Sequence, residues 1–144
     1  MKLRAATETD IDAIAKIMGD WCADTPYIPA LHTREQDRKF ITGVVAKQDV
    51  MVADDSGVQG FIAREDNEID QLYLATAARG RGIGSTLLAE MKTRGDRLEL
   101  WCFQANTGAR RFYERHGFTV DRMTDGASNQ EKLPDIRYVW AAQK

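Results

Sequence analysis

Residues 72 to 85 read Leu72-Tyr73-Leu74-Ala75-Thr76-Ala77-Ala78-Arg79-Gly80-Arg81-Gly82-Ile83-Gly84-Ser85, a strand that runs through three alternating glycines into a helix. Without Cβ atoms the backbone can curl closely around an anion, and the free N–H groups and dipole at a helix start favour negative charge. The segment therefore reads as a phosphate cradle, with Arg79 and Arg81 adding charge. A glycine-rich connection that only packs a helix tightly on a sheet is the other reading. A nucleotide P-loop carries Lys-Ser or Lys-Thr after its last glycine, whereas Gly84 is followed by Ser85-Thr86, which argues against ATP or GTP. A dinucleotide fold places its glycines after its first strand, with an acidic residue about 20 positions on. Here three antiparallel strands come first, which argues against NAD.

Upstream, Lys2 to Ala6 reads as an opening strand. Thr7 or Thr9 can cap a helix that ends near Asp24, with Ile11, Ile14, Ala15, Ile17 and Met18 at helical spacing. A loop with two prolines, Thr25 to His32, separates it from a second helix, for which Thr33 and Gln36 form a capping-box signal and which runs to about Lys47. Val50 to Ala53, Val58 to Arg64 and Ile69 to Leu74 read as three hairpin-linked strands divided by polar turns. Downstream, the spacing predicts a helix from Gly82 to Arg94, a strand from Arg97 to Phe103, a helix from Asn106 to Arg115 and a strand after Gly117. Asp135 to Ala142 makes a last strand after a polar connection.

At 144 residues the chain reads as a single domain, 1–144. Its apolar runs stop far short of the roughly 20 residues of a membrane helix, and no signal-peptide core follows Met1, so a cytoplasmic location without membrane contact is expected. Cys22 and Cys102, 80 positions apart without neighbouring His clusters, read as reduced thiols, and no metal site is expected. A net charge of -2 offers no global basic field for nucleic acid.

Arg79-Gly80-Arg81-Gly82-Ile83-Gly84 resembles the signature of the GNAT superfamily of N-acetyltransferases: Gln or Arg, two residues, Gly, one residue, then Gly or Ala. The block from Leu98 through Trp101, Asn106 and Tyr113 to Phe118 is similar to that family's second conserved segment, and Leu3 to Trp21 is similar to its opening strand and helix. The resemblance implies an α/β (α+β) fold: a mixed, mostly antiparallel central sheet split by a bulge and flanked by about four helices. It also implies acetyl-CoA as co-substrate, without a metal, and an amine of a small molecule or peptide as acceptor. A homodimer is the family's frequent habit.

Carried over residue by residue, the resemblance places the pyrophosphate on the amides of Arg79, Gly80, Arg81, Gly82, Ile83, Gly84 and Ser85. The pantetheine arm then runs beside Leu72 and Leu74, and Asn106 hydrogen-bonds it. Tyr113 becomes the acid that protonates the departing thiolate, and a phenol can donate a proton near pH 7 while staying neutral. Asn106 and Tyr113 are seven positions apart, two helical turns on one face; an N-cap and a core aromatic are the plainer readings of the pair. Asp70, with Glu68 beside it, is the candidate base; a solvated carboxylate at a strand start is the alternative. Some family members carry a glutamate where this chain has Trp101. Trp21, Tyr27 and His32 are the candidate acceptor contacts, and His116 is explained by a helix C-terminus. The alternative function is an acyl-CoA-binding sensor or interaction module without turnover.

Overall fold

The computed structural model describes residues 1–29 and 31–143. Seven strands form one sheet in the order β1-β2-β3-β4-β5-β7-β6: β1 (Lys2–Ala5), β2 (Asp49–Asp54), β3 (Val58–Glu65), β4 (Glu68–Leu74), β5 (Arg97–Phe103), β6 (Thr119–Thr124) and β7 (Asp135–Ala141). Four helices flank it: α1 (Ile11–Asp24), α2 (Arg34–Lys47), α3 (Ile83–Lys92) and α4 (Thr107–Arg115). All strand pairs are antiparallel except β4 with β5, which are parallel and in register at the single pair Glu68↔Glu99. This is the α/β (α+β) architecture expected, and no helix is long and apolar enough to cross a membrane among the described residues.

Successive strand residues point to opposite faces, and here both faces are covered. Met51, Ala53, Ile62 and Ile69 join Leu87, Leu88 and Met91 of α3 and Tyr113 of α4 in one core cluster. Val50, Val52, Phe61 and Ala63 join Ile14, Met18 and Ile41 of α1 and α2 in the other. Burial on both sides explains why these strands read as nearly continuous apolar runs.

The capping box at Thr33 and Gln36 forms as expected, Thr33 Oγ1 accepting from the Gln36 N–H at 3.1 Å and Gln36 Oε1 accepting from the Thr33 N–H at 2.8 Å. The first helix differs in its start. Thr7 caps a short 3-10 turn, Glu8–Asp10, and α1 begins only at Ile11. The cause is Asp10, whose buried carboxylate turns back to accept from the Thr7 N–H (2.8 Å) and from Arg4 Nη1 and Nη2 (2.8 and 2.9 Å). Arg4 holds the Asp10 carboxyl below its usual range. A depressed folded pKa stabilises above the unfolded value near 4 and is lost as pH falls through the folded one. Arg4→Leu is therefore expected to lower the urea midpoint at pH 7, and to lower it by clearly less at acid pH where the Asp10 carboxylate is protonated in both states.

Candidate active site

The site exists because two neighbouring strands part. In β4 the register with β3 slips by one residue, Ala63 facing Gln71 and Arg64 facing Ile69, so Asp70 is the extra residue of a β-bulge. β5 meanwhile stays paired with β7 along its full length, from Arg97↔Ala141 to Phe103↔Asp135. Beyond Glu68↔Glu99, β4 and β5 diverge, and the expected gap opens between them. Arg137 pins the vertex: its guanidinium lies 2.6 Å from Glu68 and 3.6 Å from Glu99, joining the two carboxylates that the register brings side by side. A cavity of about 800 Å³ fills the opening, its walls drawn from β4, β5, α1, α4 and the loop between β6 and β7.

At one end stands the glycine turn. Gly80 and Gly82 adopt φ of +77° and +79°, a conformation that L side chains rarely adopt, and a Cβ at either would meet nothing within 4 Å. These glycines serve the backbone path, and the space over them is open. Gly82 caps α3 without a side-chain hydrogen bond, and the first helical bond runs from the Thr86 N–H to the Gly82 carbonyl at 3.1 Å. The N–H groups of Ile83, Gly84 and Ser85 are thus left free for an external acceptor. Gly84 and Arg79 reach the cavity wall, whereas Arg81 is paired with Asp55 at 2.9 Å. Ser85 Oγ lies 2.9 Å from His116 Nε2, whose pKa burial lowers, followed by the charges of Lys92 and Arg115.

Asn106 and Tyr113 both line the cavity. Asn106 is an N-cap as well: Oδ1 accepts from the Ala109 N–H at 3.2 Å, which leaves its Nδ2 as a donor beside the cavity. Tyr113 is buried, its ring packed edge-on to Phe112 and Phe118 at centroid distances of 5.2 and 5.5 Å. Its hydroxyl has no protein partner among the described residues, and burial pushes the phenol well above its ordinary pKa. The two plainer readings of this pair hold as structural facts without removing either side chain from the cavity wall. Cys102 borders the same space, and burial pushes its thiol up to about 11. At neutral pH it is a thiol, a poor nucleophile.

Leu72 and Leu74 line the cavity from β4, as does Asp70, whose Oδ2 accepts from Gln48 Nε2 at 3.1 Å. Trp21 reaches the wall from α1, its ring 5.1 Å from that of Tyr73. Tyr27 stands behind the wall, edge-on to Phe103 at 6.5 Å. His32 lies outside it, exposed, with Nε2 3.3 Å from Gln130 Nε2. Ala30, in the same loop, falls outside the described residues. The wall also contains Gln71, Trp101, Asn129 and Glu131, which carried no assigned role in the sequence. Gln71 follows the bulge and was open to inspection; Asn129 and Glu131 arrive on a loop far along the chain, with no local signal. Among the described residues no group of three or more His, Cys, Asp or Glu side chains is arranged to hold a metal ion.

Comparison with known proteins gives a consistent result. Residues 44–120, more than half of the chain, match the family model described as acetyltransferase (GNAT) domain. An uncharacterized N-acetyltransferase of Methanocaldococcus jannaschii is 35% identical over 106 residues, which are 69% of this chain and 47% of that protein. The chain thus spans about half the length of this curated relative. A GCN5-related N-acetyltransferase from Rhodopseudomonas palustris superposes with a TM-score of 0.81 at 19% identity, over 97% of this chain and 94% of the other. A Salmonella typhimurium protein solved with its cofactor acetyl-CoA superposes with a TM-score of 0.75 at 17% identity, over 100% and 95% of the two chains. At these identities the two superpositions establish the fold.

Proposed function

Because this chain belongs to the GNAT acetyltransferase family, we propose that it transfers the acetyl group of acetyl-CoA to a primary amine of a small molecule by direct attack in a ternary complex, in the cytoplasm. The observation that carries this reading is the hydroxyl of Tyr113, without a hydrogen-bond partner among the described residues, in the wall of a cleft that begins at an open glycine turn. The residues present suit the co-substrate. The free N–H groups of Ile83, Gly84 and Ser85, with Gly80, Gly82 and the side chains of Arg79 and Arg81 around them, offer a seat for the pyrophosphate. Leu72 and Leu74 present backbone to an extended pantetheine arm, and Asn106 Nδ2 adds a donor.

Acetyl-CoA supplies an activated acyl carbon and a thiolate leaving group. Asp70 takes the proton of the acceptor ammonium, directly or through water, and frees the nitrogen lone pair. As the new C–N bond forms and the C–S bond breaks, Tyr113 gives its proton to the sulfur, so no thiolate is stranded in a buried slot. The surplus proton of the acylated nitrogen passes through water to the tyrosinate, which leaves a neutral amide and restores the phenol. The backbone N–H of Leu74 is the candidate donor to the carbonyl oxygen. Cys102, held as a thiol, supports direct transfer over an acyl-cysteine route.

The test is release of free CoA from acetyl-CoA across a panel of primary amines. Turnover on at least one amine, first-order in enzyme, is the expected outcome. Protein that is stabilised by acetyl-CoA yet acetylates no amine would instead be a sensor of acyl-CoA, the reading that needs no acid beside the sulfur.

A further inference from the structure

Two carboxylates in the cavity wall have no counter-charge among the described residues. Asp70 stands there at the bulge and Glu131 on the loop between β6 and β7. Asp70 accepts one hydrogen bond, from Gln48, and neither carboxylate forms an ion pair among the described residues. Asp135, also in the wall, differs in being consumed by Thr124 Oγ1 and Asn129 Nδ2. Gln71 Oε1 is shielded from solvent and has no donor. The cation that reaches the wall, Arg79, belongs to the glycine turn, and Arg137 is held by Glu68 and Glu99.

The remaining surface is aromatic. Trp21, Tyr73, Trp101 and Phe103 line the same space, and aromatic faces attract cations. Trp101 shows that habit already, with Arg122 and Arg137 each 5.3 Å from its ring. Burial, then the charges of Cys22, Glu131 and Asp70, push the Tyr73 phenol above its ordinary range. The site therefore carries two carboxylates without an ion pair among the described residues, beside aromatic faces. A carboxylate-bearing acceptor would be repelled, and a simple monoamine would leave one carboxylate unanswered.

We propose that the acceptor is a small dication, a diamine or polyamine, which presents one nitrogen to the thioester beside Asp70 and Gln71 while Glu131 holds a second ammonium. This rests on the acetyl-transfer reading above and narrows its acceptor. The experiment compares α,ω-diamines of three to six carbons with the monoamines and ω-amino acids of equal length at saturating acetyl-CoA. The best diamine is expected to exceed its monoamine in kcat/KM by about tenfold, the effect of one added ion pair in a partly shielded site, with the amino acid lower still. Glu131→Gln is expected to bring the diamine-to-monoamine ratio close to one, with an unchanged melting temperature showing that the fold survives. A monoamine or amino acid used as well as the diamine, or a ratio that Glu131→Gln leaves intact, would overturn the proposal. Calorimetric titration of the diamine into CoA-loaded protein separates the two readings. Diamine binding without turnover of any amine in the series would sink acetyl transfer and keep the dication site, and turnover of a monoamine without diamine binding would sink the dication site and keep acetyl transfer.

Discussion

Gly82→Glu abolishes the stabilisation that acetyl-CoA confers on the native protein: this is the largest binding effect expected of any single substitution. At a ligand concentration one hundred times the dissociation constant, binding to the folded state adds about 2.7 kcal/mol. For a domain of this size that raises the melting temperature by roughly 5–10 °C. A glutamate at Gly82 would set a carboxylate where the N–H groups of Ile83, Gly84 and Ser85 await an anion, so repulsion replaces attraction. Because φ at Gly82 is +79°, any side chain there also strains the backbone by about 1 kcal/mol. The readout is therefore the ligand-induced shift, not the melting temperature itself. Gly82→Ala carries the strain without the charge and is expected to keep most of the shift. A Gly82→Glu protein that acetyl-CoA still stabilises as fully as the native one would remove the pyrophosphate from this turn.

Tyr113→Phe is the second. General acid catalysis contributes about 10²- to 10⁴-fold, so kcat is expected to fall at least a hundredfold while the acetyl-CoA thermal shift persists. The substitution removes an oxygen with no protein partner among the described residues and leaves the ring packing against Phe112 and Phe118 in place, so the fold should be little affected. The pH profile adds a check. Burial raises the Tyr113 pKa above its ordinary value near 10, so the proton remains available and no loss of rate from this group is expected up to about pH 10. The same shift makes a statement about stability. A raised folded pKa contributes fully below pH 10 and is lost as pH rises beyond it, because the unfolded phenol ionises first. The alkaline limb of the native protein's stability should thus be steeper than that of Tyr113→Phe. Unchanged turnover in the variant would assign the thiolate's proton to another donor.

Much of this was legible in the chain because the relevant signals are local. The glycine triplet announces its own turn, Asn106 and Tyr113 sit two helical turns apart, and Thr33 with Gln36 closes the box its spacing promises. Thr7 shows where local reading stops. Its capping signal is real, but Asp10 folds back onto Arg4 and Thr7, and the first turn tightens before α1 begins. The acceptor half of the cavity was less legible for a different reason. Glu131 and Asn129 reach it on a loop that follows β6, and Gln71 matters only because the bulge at Asp70 resets the side-chain alternation of β4. Tyr27 and His32, chosen for their chemistry in a loop near Trp21, end behind and outside the wall; proximity in sequence to a lining residue did not place them in it.

The parting of β4 from β5 has one more consequence. Exposed sheet edges are ordinarily hazards, since their unpaired N–H and C=O groups will accept a strand from any neighbouring molecule. Here the unpaired margin lies in the interior of the sheet, with β5 and α4 standing opposite and Arg137 closing its narrow end. It keeps the unpaired backbone groups of an edge while lying inside the sheet. The chain thereby offers backbone donors and acceptors to a guest within the cleft, apart from its outer strands β1 and β6.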